Sequence, residues 1–202
     1  VFYSDTKIRR MIMQEGMITD YGSIDDQLQP NGFDFRVGKV EGFPYASGFL
    51  GKSEKKSTNL IDMEPLPRTL SFDDDPDFTF SGTLWELKRG AYRITFLETV
   101  KIPSNALGLG RPRSSLCRNG VSLHTGVWDA GYEGKSTALL VVHGPIFYLE
   151  PESRVMQMVF ADLDDASEEL YSGQYQYENI PHKMTTWDQE PTIEDALEVS
   201  EV

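Results

Sequence analysis

The sequence predicts a mainly β fold, a distorted barrel or jelly roll with one short helix at its start and an acidic stretch at its end. Three observations carry this expectation. Apolar residues recur at helical spacing near the beginning, short runs rich in β-favouring residues follow, and Gly, Pro, Asn and Asp punctuate those runs. A chain of 202 residues with 39% hydrophobic content fits one domain with a sizeable core.

The elements follow in order. Ile8, Met11 and Ile12, with Met13 beside them, come after Ser4-Asp5, and this pattern predicts a capped helix that stops at Gly16. Strands are predicted over residues 33–40, 78–87, 92–100, 121–124, 137–142 and 154–161. Residues 47–77 lack clear periodicity and are rich in Lys, Ser, Pro and Asp. Their run Asp73-Asp74-Asp75-Pro76-Asp77 has the chemistry of a metal site, but such runs are more often solvated turns. Residues 1–177 read as one domain and residues 178–202 as an acidic tail, in which Ile193, Ala196 and Leu197 would share one side of a helix over 192–201.

Composition narrows the function. A formal charge of −13 disfavours stable binding to nucleic acid, because the polyanion would be repelled. No stretch approaches the ~20 apolar residues of a membrane helix, and no signal-like segment opens the chain, so a cytoplasmic protein with no membrane partner is expected. The lone Cys117 leaves no internal disulfide and no cysteine-based zinc site; its expected role is packing. His124 and His143 lack metal-site spacing and are expected to be structural.

The chemistry concentrates in two places. Arg113-Ser114-Ser115-Leu116-Cys117-Arg118 offers a planar guanidinium fork and hydroxyl donors suited to phosphate oxygens. Asp129-Ala130-Gly131-Tyr132-Glu133-Gly134 places a carboxylate at a turn, where it can orient a water. Each has a plainer reading: Arg113 alone would pair with an acidic neighbour, and Asp129 alone would be an ordinary turn residue. Asp34, between Phe33 and Phe35, should point away from both rings, and solvent is one destination.

Taken in register, the motifs resemble the trimeric dUTP diphosphatase and dCTP deaminase superfamily over about residues 4–177. Ser4 to Ile12 looks like the opening helix of the deaminase branch, and Gln27 to Gly38 like its first strand motif. Asp34 matches the aspartate of the diphosphatases' first motif. Pro112 to Leu116 and Val127 to Gly134 are similar to the second and third motifs, and Arg154 to Phe160 to the fourth. The resemblance implies a β-clip fold, a homotrimer with shared active sites, and hydrolysis of a nucleotide.

One position separates the two branches. The deaminases carry a glutamate ten residues after the third-motif aspartate, where it moves protons during attack on the cytosine ring. Here that residue is Leu139, which cannot carry a proton. The resemblance therefore implies a dUTP diphosphatase, hydrolysing dUTP to dUMP and pyrophosphate, on a deaminase-like body.

Site roles follow from the same resemblance. Asp129 would orient the water, while Arg113, Ser114, Ser115, Arg118 and Gln157 would contact the phosphates. Tyr132 would stack against the deoxyribose and leave no room for a 2′-hydroxyl. Mg²⁺ would bridge phosphate oxygens, with Asp34 touching it through water. Tyr171 to Tyr177 resembles the deaminase lid, with Tyr175 and Gln176 as lid contacts; nothing matches the diphosphatases' Gly-rich arm. Two alternatives stay open: a dCTP deaminase, alone or combined with dUTP hydrolysis, and a non-catalytic nucleotide-binding regulator.

Overall fold

The computed structural model describes residues 1–44, 48–52 and 55–181. The first element forms as expected. Helix α1 (Asp5–Glu15) is capped by Ser4, whose side chain accepts from the Lys7 amide, and it ends at Gly16 with φ 64°, burying Ile8, Met11 and Ile12. After β1 (Ile18–Thr19), the short α2 (Ile24–Gln27) and β2 (Leu28–Gln29), the chain enters the long strand β3 (Gly32–Gly42).

A peripheral segment follows, with β4 (Phe49–Leu50), β5 (Lys55–Lys56) and β6 (Ile61–Asp62). It leads into β7 (Leu66–Phe72) and the 22-residue β8 (Asp75–Phe96). The remaining elements are β9 (Thr99–Lys101), β10 (Ala106–Pro112), α3 (Ser114–Arg118), β11 (Val121–His124), β12 (Val127–Trp128), β13 (Glu133–Gly134), β14 (Thr137–Leu149) and β15 (Arg154–Asp162). The main sheet runs β11-β14-β8-β3-β15-β10-β12, and β1-β9-β13 form a second, smaller one. The architecture is mainly β, a sheet curled into a half-barrel.

The core fills the curl. Phe33, Phe35 and Phe96 are fully enclosed, with ring centroids 6.0 Å apart for the first pair and 5.7 Å for the second, both edge-on. Each such side chain contributes roughly 1.5–3 kcal/mol by leaving water. Ile94, Leu140, Met156 and Phe160 continue the same layer.

Besides several two-residue strands, two seven-residue strands escaped the sequence pattern, for different reasons. β10 contains Gly108 and Gly110 and ends on Pro112, which reads as a loop, yet the missing side chains are what lets it pair. A Cβ on Gly110 would stand 2.5 Å from the Met156 sulfur and 2.9 Å from the Trp128 ring. β7 pairs only with the first half of β8, and the two project as an arm exposed along most of its length, so no buried alternation marks it. The Asp-rich run sits exposed at the turn of this arm, as a solvated turn. The segment at 78–87 and the first part of that at 92–100 fuse into the single β8, because Gly90 stays in the ladder opposite Val142, while Thr99 and Val100 fall in β9.

Cys117 corrects its expectation. It is exposed on α3, since only Leu116 of that single turn faces the core. The helix expected over 192–201 lies outside the described residues. No helix among the described residues is long and apolar enough to cross a membrane.

The sheet also carries a nearly buried charge at Glu41. Arg93 grips its carboxylate from Nε (2.7 Å) and Nη2 (2.8 Å), and Lys39 adds a third bond at 3.0 Å. The hydrogen bonds from Arg93 hold this carboxyl below its ordinary value of 4.5. The unfolded chain thus binds the proton more readily, and the stabilisation present above pH 4.5 is lost as pH falls further. Urea denaturation of the parent between pH 7 and pH 3 should show this loss, and Glu41→Gln should flatten part of the slope.

Candidate active site

The first half of the site is built around Asp34. It lies on β3 with only 1% exposure, because both faces of the strand are covered over Gly32–Phe35. Alternation allowed solvent as its destination, and tertiary packing supplies two cations instead. Arg113 Nε stands 3.2 Å and Arg154 Nη1 3.5 Å from Asp34 Oδ2, an atom otherwise without a hydrogen-bond partner among the described residues. Burial raises the Asp34 carboxyl above its ordinary value, and the two guanidiniums partly offset that effect.

Both arginines reach this point through backbone design. Arg113 caps α3, and its amide donates to Val155 O at 3.0 Å, tying the β10–α3 junction to β15. Arg154 also donates to the Asp26 carbonyl. It was legible only as the first residue of a motif. Counting by twos from Gln157 puts it on the opposite face, but a register shift between Arg154 and Met156 brings it round to Asp34.

Arg113, Ser115 and Arg154 open onto a cavity of about 360 Å³. Its other wall is apolar and comes from the arm: Leu70, Phe78 and Phe80, together with Phe147. Glu150 also lines it, so the cavity is not strongly positive. Ser114 and Arg118 lie exposed on α3, and Gln157 sits opposite Asp34 in the β3–β15 ladder.

The second half surrounds Asp129, which is exposed where β12 ends. Its carbonyl accepts the Tyr132 amide at 3.1 Å, closing a turn that passes through Gly131 at φ 84°. A side chain at Gly131 would be strained by that φ and would meet Leu170 Cβ at 2.7 Å. A cavity of about 100 Å³ lies beside Asp129, walled by Trp128, Tyr132, Ser136, Tyr171 and Tyr175.

Tyr132 is 5% exposed and tightly held. Its hydroxyl donates to Glu178 Oε1 at 2.8 Å and lies 2.9 Å from Ser136 Oγ, which accepts Trp128 Nε1 at 2.6 Å. Burial, reinforced by the Glu178 charge, raises the phenol well above its ordinary value. Tyr171 packs edge-on to Tyr132, centroids 5.6 Å apart.

The segment after β15 straps this turn. Tyr171 N donates to Ala130 O (2.8 Å), Tyr177 N to Glu133 O (2.7 Å) and Lys135 N to Glu178 O (2.9 Å). Of the two lid residues expected, Tyr175 faces the cavity and is half exposed. Gln176 is turned to the backbone of the Asp129 turn: its amide donates to Gly131 O and accepts from Glu133 N. Ser136 and Glu178 carried no sequence signal, since a serine and a tail glutamate are common on any surface.

Leu139 lies on β14 between His124 and Arg93, 38% exposed, with no carboxylate at its ladder neighbours. His124 and His143 both contact Ser122 Oγ, at 3.2 and 2.9 Å, on an outer face. Among the described residues, no three His, Cys, Asp or Glu side chains cluster as a metal site.

The dCTP deaminase-like family matches residues 2–163, and the chain belongs to it. Relatives described as probable deoxyuridine 5′-triphosphate nucleotidohydrolases align along almost their full length. That of Methanosarcina acetivorans is 36% identical over 87% of this chain and 96% of its own. That of Methanococcoides burtonii is 34% identical over 88% and 98%. In structure, the chain resembles a 2′-deoxycytidine 5′-triphosphate deaminase from Agrobacterium tumefaciens with a TM-score of 0.55 and 22% identity, a likeness of fold. It covers 79% of this chain, which spans 47% of the larger deaminase chain.

The arginine–aspartate contact should be measurable as coupling. A double-mutant cycle with Asp34→Asn and Arg113→Ala, read by urea denaturation, should give an interaction energy of about 1–3 kcal/mol. Additive losses would show that the two groups do not sense each other.

Proposed function

We propose that this chain is a dUTP diphosphatase, hydrolysing dUTP to dUMP and pyrophosphate and so limiting uracil in DNA. One observation carries the reading: relatives matched along nearly their whole length are described as probable dUTP nucleotidohydrolases. Leu139 supports it, standing where deamination requires a proton carrier.

Asp129 orients a water toward the α-phosphorus and accepts its proton as the bond to phosphorus forms and pyrophosphate leaves. Its exposure beside an aromatic cavity suits that role, and the Tyr132 ring meets the deoxyribose. Arg113 and Ser115, with Ser114, Arg118 and Gln157 nearby, take the phosphate oxygens. Asp34 orients the Arg113 and Arg154 guanidiniums from behind.

Magnesium comes with the triphosphate in this proposal. A cavity holding two arginines beside Asp34 and Glu150 supplies little net positive charge, so a divalent cation on the phosphates completes the neutralisation. Asp34 is too enclosed for direct ligation, so it would meet such a cation through water, while the ion would supply charge neutralisation at the phosphates.

The two halves of the site line different cavities and have no lining residue in common. This separation supports a homotrimer in which Arg113 of one subunit and Asp129 of another complete each site. A second reading, dCTP deamination combined with dUTP hydrolysis, is favoured only by the family match.

A panel of deoxynucleoside triphosphates with Mg²⁺, scored separately for ammonia and pyrophosphate, tests the chemistry. Pyrophosphate from dUTP without ammonia from dCTP is expected, and Asp129→Asn should slow release by about a hundredfold or more. Ammonia from dCTP with dUTP left intact would overturn the proposal. Mixing Asp129→Asn subunits with Arg113→Ala subunits should restore part of the activity, since some mixed sites receive both intact halves.

A further inference from the structure

We infer that Glu178 is a positioning residue for the active site, the end point of a hydrogen-bond relay that fixes the Tyr132 ring. The inference rests on the proposed role of Tyr132 against the deoxyribose and goes beyond it, to a residue past the family match at 2–163.

The relay has a direction set by its ends. Trp128 Nε1 can only donate, and it donates to Ser136 Oγ; Tyr132 donates to Glu178 Oε1. The Ser136 hydroxyl proton is then left to point at the Tyr132 oxygen, 2.9 Å away. Every proton in the chain Trp128, Ser136, Tyr132 runs toward the Glu178 carboxylate, and each bond polarises the next. Without that acceptor, the Tyr132 hydroxyl loses its one acidic partner among the described residues while its ring stays enclosed.

The backbone around Glu178 is shaped for the task. Tyr177 and Asn179, on either side, adopt left-handed φ values of 63° and 57°, a conformation disfavoured for the tyrosine because Cβ crowds the following carbonyl and tolerated by the asparagine. Tyr177 N on Glu133 O, Lys135 N on Glu178 O and Asn179 Nδ2 on Lys135 O hold it there. Glu178 Cγ would lie 3.3 Å from a Cβ on Gly134, so the carboxylate enters the turn over a glycine. Burial raises the Glu178 carboxyl above its ordinary value, and the Tyr132 hydrogen bond and the Arg93 charge offset part of that effect.

The relay bears on sugar choice. A ring held at one height leaves a fixed clearance for the 2′ position, so loosening the ring should admit ribose. The test compares kcat/KM for dUTP and UTP in the parent, Glu178→Ala, Glu178→Gln and Tyr132→Phe, with thermal unfolding measured alongside. Glu178→Ala should lower the dUTP/UTP ratio by about tenfold, the worth of one lost hydrogen bond to a charged group. Glu178→Gln, which keeps an acceptor oxygen, should restore most of it, and Glu178→Ala should add nothing in a Tyr132→Phe background. Should Glu178→Ala fail to fold, Ser136→Ala breaks the relay from its other side and should lower the same ratio.

An unchanged ratio in Glu178→Ala, or an equal loss on both nucleotides, would overturn the inference while leaving dUTP hydrolysis standing. A parent protein that turned over dUTP and UTP alike would instead remove the role of Tyr132 on which the inference depends.

Discussion

The carboxylate of Asp34, enclosed between two arginines, is the constraint on which the rest of the site depends. A charge buried on a central strand is costly unless paired, and here the partners come from distant parts of the chain: Arg113 at the β10–α3 junction and Arg154 at the start of β15. Pairing them fixes where α3 begins, and with it the direction in which Ser115 faces the cavity. The polar network beside it acts in the same way. Glu98, fully buried, accepts from Gln27 Nε2 and from Arg36 Nε and N, while Gln27 also donates to the Asp34 carbonyl. Strand β3 is thus held from both sides by paired charges rather than by apolar contact alone.

The Asp129 half is organised differently. Its turn is short and carries an exposed carboxylate, so little of its rigidity comes from burial. The strap from Tyr171 to Asn179 supplies it, through backbone bonds to residues 130–135 and through the Glu178–Tyr132 contact. An exposed reactive group on an immobilised turn suits a water-orienting role, because the carboxylate remains solvated while its position is fixed. The half-site around Arg113 is apolar on one wall and cationic on the other, and the half-site around Asp129 is aromatic.

Much of this was legible in the residues. The first helix, with its Ser4 cap and Gly16 stop, followed from local chemistry that tertiary packing left untouched. Strand β11 fell on the expected residues, 121–124, because its alternation is clean and its boundaries are polar. The motif residues Arg113 and Asp129 stood out by type and order as candidates for binding phosphate and orienting water. Arg154 and Glu178 were not, since one owes its direction to a bulge and the other to a strap whose bonds join residues more than forty positions apart.

The sequence by itself determined the class of fold, the first helix, the residue types able to meet phosphate and water, and the absence of a proton carrier at Leu139. These depend on local spacing and side-chain chemistry, which travel with the chain. Only the tertiary structure decided that Asp34 is buried against two guanidiniums, that β10 pairs because its glycines leave room for Trp128 and Met156, and that the two halves of the site open onto separate cavities. Those facts rest on which distant segments meet, and no local pattern encodes a meeting between strands that the curl of the sheet brings together.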